Sequence, residues 1–230
     1  MRGIVVLAVL ALPGASLVAQ DRSHEAHAEF LLGAAWSLPT PLVVRLPRQP
    51  PVRIRARYST RPWSGALYYG YRVGGGELTS GGAPTGYEAE LLHHKLYLDN
   101  PVPPIERLEI SHGYNLLTAD AVRPAKALAI RFGLGLVVAH PEGRIAGERV
   151  GGSRRTLLGG GYHLAGITAQ FTVGRRYTLV HGRSSLYAVP EAKLTASLAH
   201  VPVGDSGGKA FVPNVAAHAL AGLGLRRVWP

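Results

Sequence analysis

The sequence predicts an all-β fold: eight antiparallel strands of about ten residues each, wound as one up-and-down barrel. Three observations predict it. Apolar and polar residues alternate with period two over eight segments. Gly 29 and Pro 17 punctuate the chain heavily between them, and little reads as helix. Hydrophobic residues make up 47% of 230, yet past the N-terminus no run of roughly 18 apolar residues occurs, so no helix is expected to span a membrane.

The clearest strands lie in the second half. In Leu128 to Val138, Ile130, Phe132, Leu134, Leu136 and Val138 oppose Arg131, Gly133, Gly135 and Val137. In Leu164 to Val173, Ala165, Ile167, Ala169, Phe171 and Val173 oppose Gly166, Thr168, Gln170 and Thr172. Val189 to His200 sets Ala192, Leu194, Ala196 and Leu198 against Glu191, Lys193, Thr195 and Ser197. Val215 to Trp229 alternates Ala217, Ala219, Ala221, Leu223 and Leu225 with His218, Leu220, Gly222, Gly224 and Arg226. Earlier come Glu106 to Leu117, with Arg107, Glu109, Ser111, Gly113 and Asn115 in one phase, and the segments Phe30 to Leu38, Ser64 to Val73 and Tyr87 to Leu98.

Alternation alone does not say which face is buried. A soluble sandwich would put the apolar face inward. Three features favour the inverted, transmembrane barrel. The polar phase is rich in Gly, Ser and Thr, as a narrow filled lumen requires. Its charges nearly balance, Arg72, Arg107, Arg131 and Lys193 against Glu88, Glu90, Glu109 and Glu191, although the chain carries a net charge of +11. Trp36, Trp63, Tyr97, Tyr177 and Trp229 sit near strand ends, as interfacial girdles do. Arg72, Glu90, Arg107, Glu109, Arg131, Glu191 and Lys193 are therefore expected to form one paired network inside the lumen, since an unpaired buried charge is costly.

The first residues set the compartment. Arg2 precedes an apolar run from Ile4 to Leu12, Pro13 and Gly14 break it, and Leu17-Val18-Ala19 ends in a small residue. That is the pattern of a secretory signal peptide, giving residues 1–19 as the signal and 20–230 as one barrel domain, exported to the bacterial outer membrane. Cysteine is absent, so an exported chain must rely on closure of its sheet, with no disulfide, thiol nucleophile or Cys-based metal site. The basic balance asks for anionic partners; behind an export signal these are outer-membrane lipid and lipopolysaccharide, not nucleic acid. The barrel-assembly machinery is the other expected partner, and a monomer the expected state.

With both termini on the periplasmic side, the long connections Pro39 to Trp63 and Ala139 to Gly161 face outward, while Gly74 to Gly86 is long for a periplasmic turn. The outer connections are rich in arginine. Arg53, Arg55 and Arg57 in the first, and Arg149, Arg154 and Arg155 in the third, are candidate anion-binding residues, because guanidinium groups pair with phosphate in bidentate fashion.

The segments GYEAELLHHKLYL, IERLEISHGYNLLTA and LAIRFGLGLVVAHPE resemble bacterial outer-membrane β-barrel proteins related to lipid A oxidase. Glu90, His93 and Lys95 match one strand motif; Arg107, Glu109, Ser111, His112, Gly113 and Asn115 match a second; His140, Gly222 and Gly224 match others. The chain departs at its end, where Trp229 is followed by Pro230 and Leu225 stands in place of an aromatic residue. The resemblance implies a small eight-stranded outer-membrane barrel, with a structural or binding role at the cell envelope and contact with lipopolysaccharide. The alternative it brings is an outer-leaflet lipid A-modifying enzyme of oxidase type. No cofactor is expected for the first. The second would need a divalent metal, for which His94, His140 and His218 are the candidate ligands, at the outer ends of their strands among ten histidines. Catalytic residues are not assigned.

Overall fold

The structure, a computed structural model, describes residues 23–78, 84–151 and 161–230. The signal peptide expected over 1–19, and Arg154 and Arg155, lie outside them. Among the described residues the chain is all-β, with every strand pair antiparallel and no helix long and apolar enough to cross a membrane. The strands in order are β1 (His24–Ser37), β2 (Thr40–Arg45), β3 (Val52–Ala56), β4 (Tyr58–Ser59), β5 (Tyr69–Leu78), β6 (Pro84–Leu98), β7 (Ile105–Ala125) and β8 (Leu128–Ala139). They continue as β9 (Glu142–Ile145), β10 (Glu148–Arg149), β11 (His163–Gly174), β12 (Tyr177–Val180), β13 (Ser184–Val203), β14 (Gly208–Phe211) and β15 (Asn214–Trp229).

Eight of these close a ring. β1 pairs β5, and the ladder runs on through β6, β7, β8, β11, β13 and β15, which pairs back onto β1 from Ala216 opposite Ser37 to Trp229 opposite His24. Six of the eight sequence segments fall inside one ring strand; Phe30 to Leu38 overruns β1 by one residue, and Ser64 to Val73 enters β5 only at Tyr69. Their ends differ. β5 continues through Gly74-Gly75-Gly76 to Leu78, and β7 continues to Ala125, so the connections at the end where β1 begins shorten to 79–83 and to Lys126-Ala127. The apparently long turn from Gly74 to Gly86 is therefore mostly strand.

The far-end connections fold instead of looping freely. β2 and β3 form a hairpin, and β14 pairs both β2 and the far extension of β13. On the other side, β9 pairs the far part of β7 and β10 pairs β9. Leu42, Val44, Ile105, Leu108, Ile145, Val201, Val203 and Val212 bury their side chains between these pieces, in one apolar cluster with Leu31, Leu92 and Leu116 of the ring. This lobe closes the far end of the ring with an apolar core.

The ring is inside out relative to a soluble sheet protein. Arg72, Arg131 and Lys193 are buried, at 1%, 0% and 2% exposure, while Phe132 and Leu134 on the opposite face of β8 are 63% and 73% exposed. Phe30, Tyr71, Val73, Tyr87, Ile167, Leu194, Leu198, Leu223 and Leu225 continue the apolar outer surface around the ring. The small residues needed for close strand contact sit in the same ladder. At Gly133 a Cβ would lie 2.0 Å from Asp120 Oδ1, so the missing side chain is what leaves room in the lumen for Asp120 and Gln170.

The phase of β7 differs from the sequence expectation. Tyr114, Leu116, Thr118 and Asp120 point inward, and Leu117 and Ala119 outward. Leu108 and Ile110 also point inward, so the alternation is interrupted at His112 and Gly113 and resumes in the same phase. At Gly113, φ 125°, an L side chain would be strained and its Cβ would meet Asn115 at 2.3 Å.

Candidate functional site

The lumen is filled by charge at the end where β1 begins. From β1 come Glu25, His27 and Glu29, from β5 Arg72, from β6 Glu88 and Glu90, from β8 Arg131, from β13 Glu191 and Lys193, and from the turn after β11 Arg176. Arg72 holds the centre. Its Nη1 donates to Glu29 at 2.5 Å, its Nε and Nη2 donate to Glu90 at 2.9 and 2.7 Å, and Nη2 also reaches both oxygens of Glu191 at 2.7 and 2.9 Å. Arg131 Nε donates to Glu88 at 2.5 Å. Lys193 pairs with Glu90. Arg176 donates to Glu25 at 2.5 Å and to Glu29 at 3.1 Å, and its guanidinium stacks over the Tyr187 ring. Tyr187 donates to Glu29 at 2.7 Å. His27 bridges Glu25 and Glu88 at 3.0 and 2.9 Å. Arg72 with Glu191, Arg131 with Glu88 and Lys193 with Glu90 tie strands that are not ladder neighbours, and each carboxylate has a charged partner, which offsets the cost of removing it from water.

Arg72, Glu90, Arg131, Glu191 and Lys193 thus meet in one cluster. Arg107 and Glu109 do not join it, which corrects the expectation. They lie beyond Gly113, in the part of β7 that leaves the ring to pair with β9, and bond each other at 2.7 Å on the surface of the lobe. Glu25, His27, Glu29, Glu88 and Arg176 are the members that the expected network lacked. The first three had a signal: His24 to Glu29 alternates Glu and His with Ala, but alanine is too small to read as a lipid-facing residue.

A second layer lies between the charges and the apolar lobe. The Tyr68 hydroxyl is hydrogen-bonded to His218 Nδ1, and His218 Nε2 lies 2.8 Å from Thr195 Oγ1. With Tyr68 donating, the ring is the neutral tautomer that carries its proton on Nε2 and donates to Thr195. His94 is edge-on to His218, with ring centroids 5.2 Å apart, and its Nε2 is 3.2 Å from Asn214 Oδ1. Both imidazoles are buried beneath the lobe. His140 is elsewhere: its ring stacks near His112 and Tyr162, beside Glu142. Burial lowers its pKa below the ordinary histidine value, with His112 and His163 adding to the effect and Glu142 opposing it. His94, His140 and His218 therefore do not converge, and among the described residues no group of three or more His, Cys, Asp or Glu side chains could hold a metal ion. The physical reason is the lobe, which packs an apolar core over His94 and His218 and separates them from the surface where His140 lies.

The candidate anion-binding arginines divide. Arg53, Arg55 and Arg57 project from one face of β3 and its end, all exposed, while Ile54 and Ala56 face the lobe core. Arg149 is exposed on β10 opposite Arg144, by a cleft of about 520 Å³ that also holds Glu106, Arg107 and Glu142. Its surroundings are of mixed charge; those of Arg53 and Arg55 are cationic.

No protein-family model matches this chain, and no curated protein matches it either. Among solved structures, it is similar to the outer membrane protein AlkL, determined by solid-state NMR in DMPC lipid bilayers. The two are 11% identical, with a TM-score of 0.43, over 96% of this chain and 97% of that one.

Proposed function

We propose that this chain is an outer-membrane β-barrel protein with a filled lumen, and that its role is structural or binding: contact with lipopolysaccharide at the cell envelope. The observation that carries this reading is the inverted ring, with charge inside and apolar side chains outside. A soluble protein rarely exposes an apolar patch beyond a few hundred Å². A closed antiparallel ring satisfies its backbone internally, which is what the hydrocarbon core demands when no helix spans it. Orientation follows from connection length: the end that carries the two-residue connection Lys126-Ala127 faces the periplasm, and the folded lobe faces outward. There its exposed arginines meet the phosphates of the outer leaflet, and the buried charge layer plugs the lumen.

The test is fractionation of the expressed chain with outer membranes, combined with gel mobility before and after heating. A heat-dependent mobility shift and recovery in the outer membrane are expected. Recovery in the soluble periplasm would reject the reading. Lipopolysaccharide contact is read separately, as salt-sensitive binding of the purified protein to lipopolysaccharide micelles.

A further inference from the structure

The outer face of the far-end sheet is a direct continuation of the apolar wall of the ring. Along β13 the outward residues run Leu194, Leu198, then His200 and Pro202, and the same face carries Lys209 and Phe211 of β14, then Val43 and Arg45 of β2. Arg45 and Lys209 stand directly opposite each other across the β2–β14 ladder, both exposed. Like charges at such cross-strand positions are destabilising. Neither side chain makes an ion pair or hydrogen bond with a protein group among the described residues, so nothing described offsets that repulsion. Next in the same sheet, Arg53 faces Val43 and Arg55 faces Pro41.

Against this face lies a groove of about 1010 Å³ between the lobe and the ring wall. Leu164 of β11, Val43 and Phe211 give it apolar surface, with the His200 ring stacked on Phe211 at 4.8 Å, and Arg45 and Lys209 line it with positive charge. Its described lining holds one carboxylate, Asp205.

We infer that this groove is a binding site for a phosphorylated lipid of the outer leaflet, whose acyl chains lie along Leu164 and Leu198 and whose phosphates sit between Arg45 and Lys209. The inference rests on the membrane reading given above and adds the place and the ligand class. Two cations held a ladder's width apart supply charge-assisted bonds to phosphate. The adjoining apolar wall supplies the reason for a lipid instead of a free anion. A headgroup bridging the two cations relieves their repulsion, so the bound form is also the more stable one.

The full chain, folded in zwitterionic detergent micelles, is titrated with diphosphorylated lipid A, with the same lipid stripped of phosphate, and with inorganic phosphate. Retained lipid is counted by native mass spectrometry. The wild type is expected to retain the diphosphorylated lipid, and Arg45→Glu with Lys209→Glu to bind it about tenfold more weakly or worse. Arg123→Glu with Lys126→Glu, at the other end of the molecule, makes the same change in net charge and should bind as the wild type does. If the reversal fails to fold, Arg45→Gln with Lys209→Gln replaces it under the same expectation. Unchanged binding in the groove variant, an equal loss in the distant one, undiminished binding of the dephosphorylated lipid, or displacement by inorganic phosphate would each overturn the inference. The gel shift of every variant is read in parallel: intact shifts with these outcomes sink only the lipid site, whereas a wild type without a shift sinks the membrane reading as well.

Discussion

Arg72 on β5 grips Glu191 on β13 through both carboxylate oxygens, at 2.7 and 2.9 Å, although neither strand pairs with the other. The contact crosses the lumen and makes the ring a braced tube. Arg72 also holds Glu29 and Glu90, and its Nε lies 3.4 Å from Glu88, so one guanidinium faces four carboxylates.

Arg72→Met should therefore be strongly destabilising, by about 3–5 kcal/mol, because it strands buried carboxylates and not because one bond is lost. Replacing Arg72 and Glu191 together, by Met and Gln, should cost less than the sum of the single changes. Urea unfolding in micelles, followed by tryptophan emission, measures both. Additive effects in that double-mutant cycle would show that the two groups do not act as a pair.

The lumen is expected to be closed to ions. Charge fills one end, Tyr68, Tyr114, His94 and His218 fill the middle, and the apolar lobe covers the other. An eight-stranded ring has an interior just wide enough for side chains. Planar bilayers containing the purified chain should show no stable conducting state. A steady open channel would contradict the packing described.

Gly133→Leu should weaken the fold by overfilling that interior. Gln170 donates to Asp120 at 2.7 Å and to Thr118 at 2.9 Å, and a Cβ at Gly133 already falls on Asp120. Overpacking typically costs about 1–3 kcal/mol. An unchanged denaturation midpoint for Gly133→Leu would mean that position 133 faces outward.

Most ring strands were legible because a large apolar residue stands at every second position, as Phe132, Leu134 and Leu136 do on β8. Where that signal fails, the reading fails. The outward residues at the start of β1 are Ala26 and Ala28, and the polar residues that alternate with them, Glu25, His27 and Glu29, went unread as lumen groups. On β7 the polar phase of Arg107 and Glu109 was assigned to the lumen, but the phase that turns inward is that of Leu108, Ile110, Tyr114 and Leu116, and Asp120, in that same phase, lies beyond the segment read from the sequence. Arg176 lies in a turn, where no periodicity exists to read. The lobe had a pattern of its own, Arg53, Ile54, Arg55, Ala56, Arg57, an alternation easily taken for a charged loop because its strand has only five residues. Which histidines meet was beyond spacing: it depends on how the far-end connections pack.

The outer surface gives the sharpest division between a membrane and a soluble chain. Leu134 is near the middle of β8, opposite Ala119 and Ala169, and is 73% exposed; Leu164 is at the far end of β11 and is 56% exposed. In water, arginine at either position would be nearly neutral or would improve solubility. In a bilayer the cost depends on depth: about 2–4 kcal/mol for arginine at the midplane, falling to about 0–1 kcal/mol near the interface. Leu134→Arg should accordingly destabilise the protein folded in lipid vesicles far more than Leu164→Arg, although both sites are comparably open in the isolated chain. Urea titration of each variant in vesicles, scored by the fraction that keeps its unheated gel mobility, gives the two values. Equal and small effects would mean that this face never meets hydrocarbon, and the ring would then have to be understood as a soluble one.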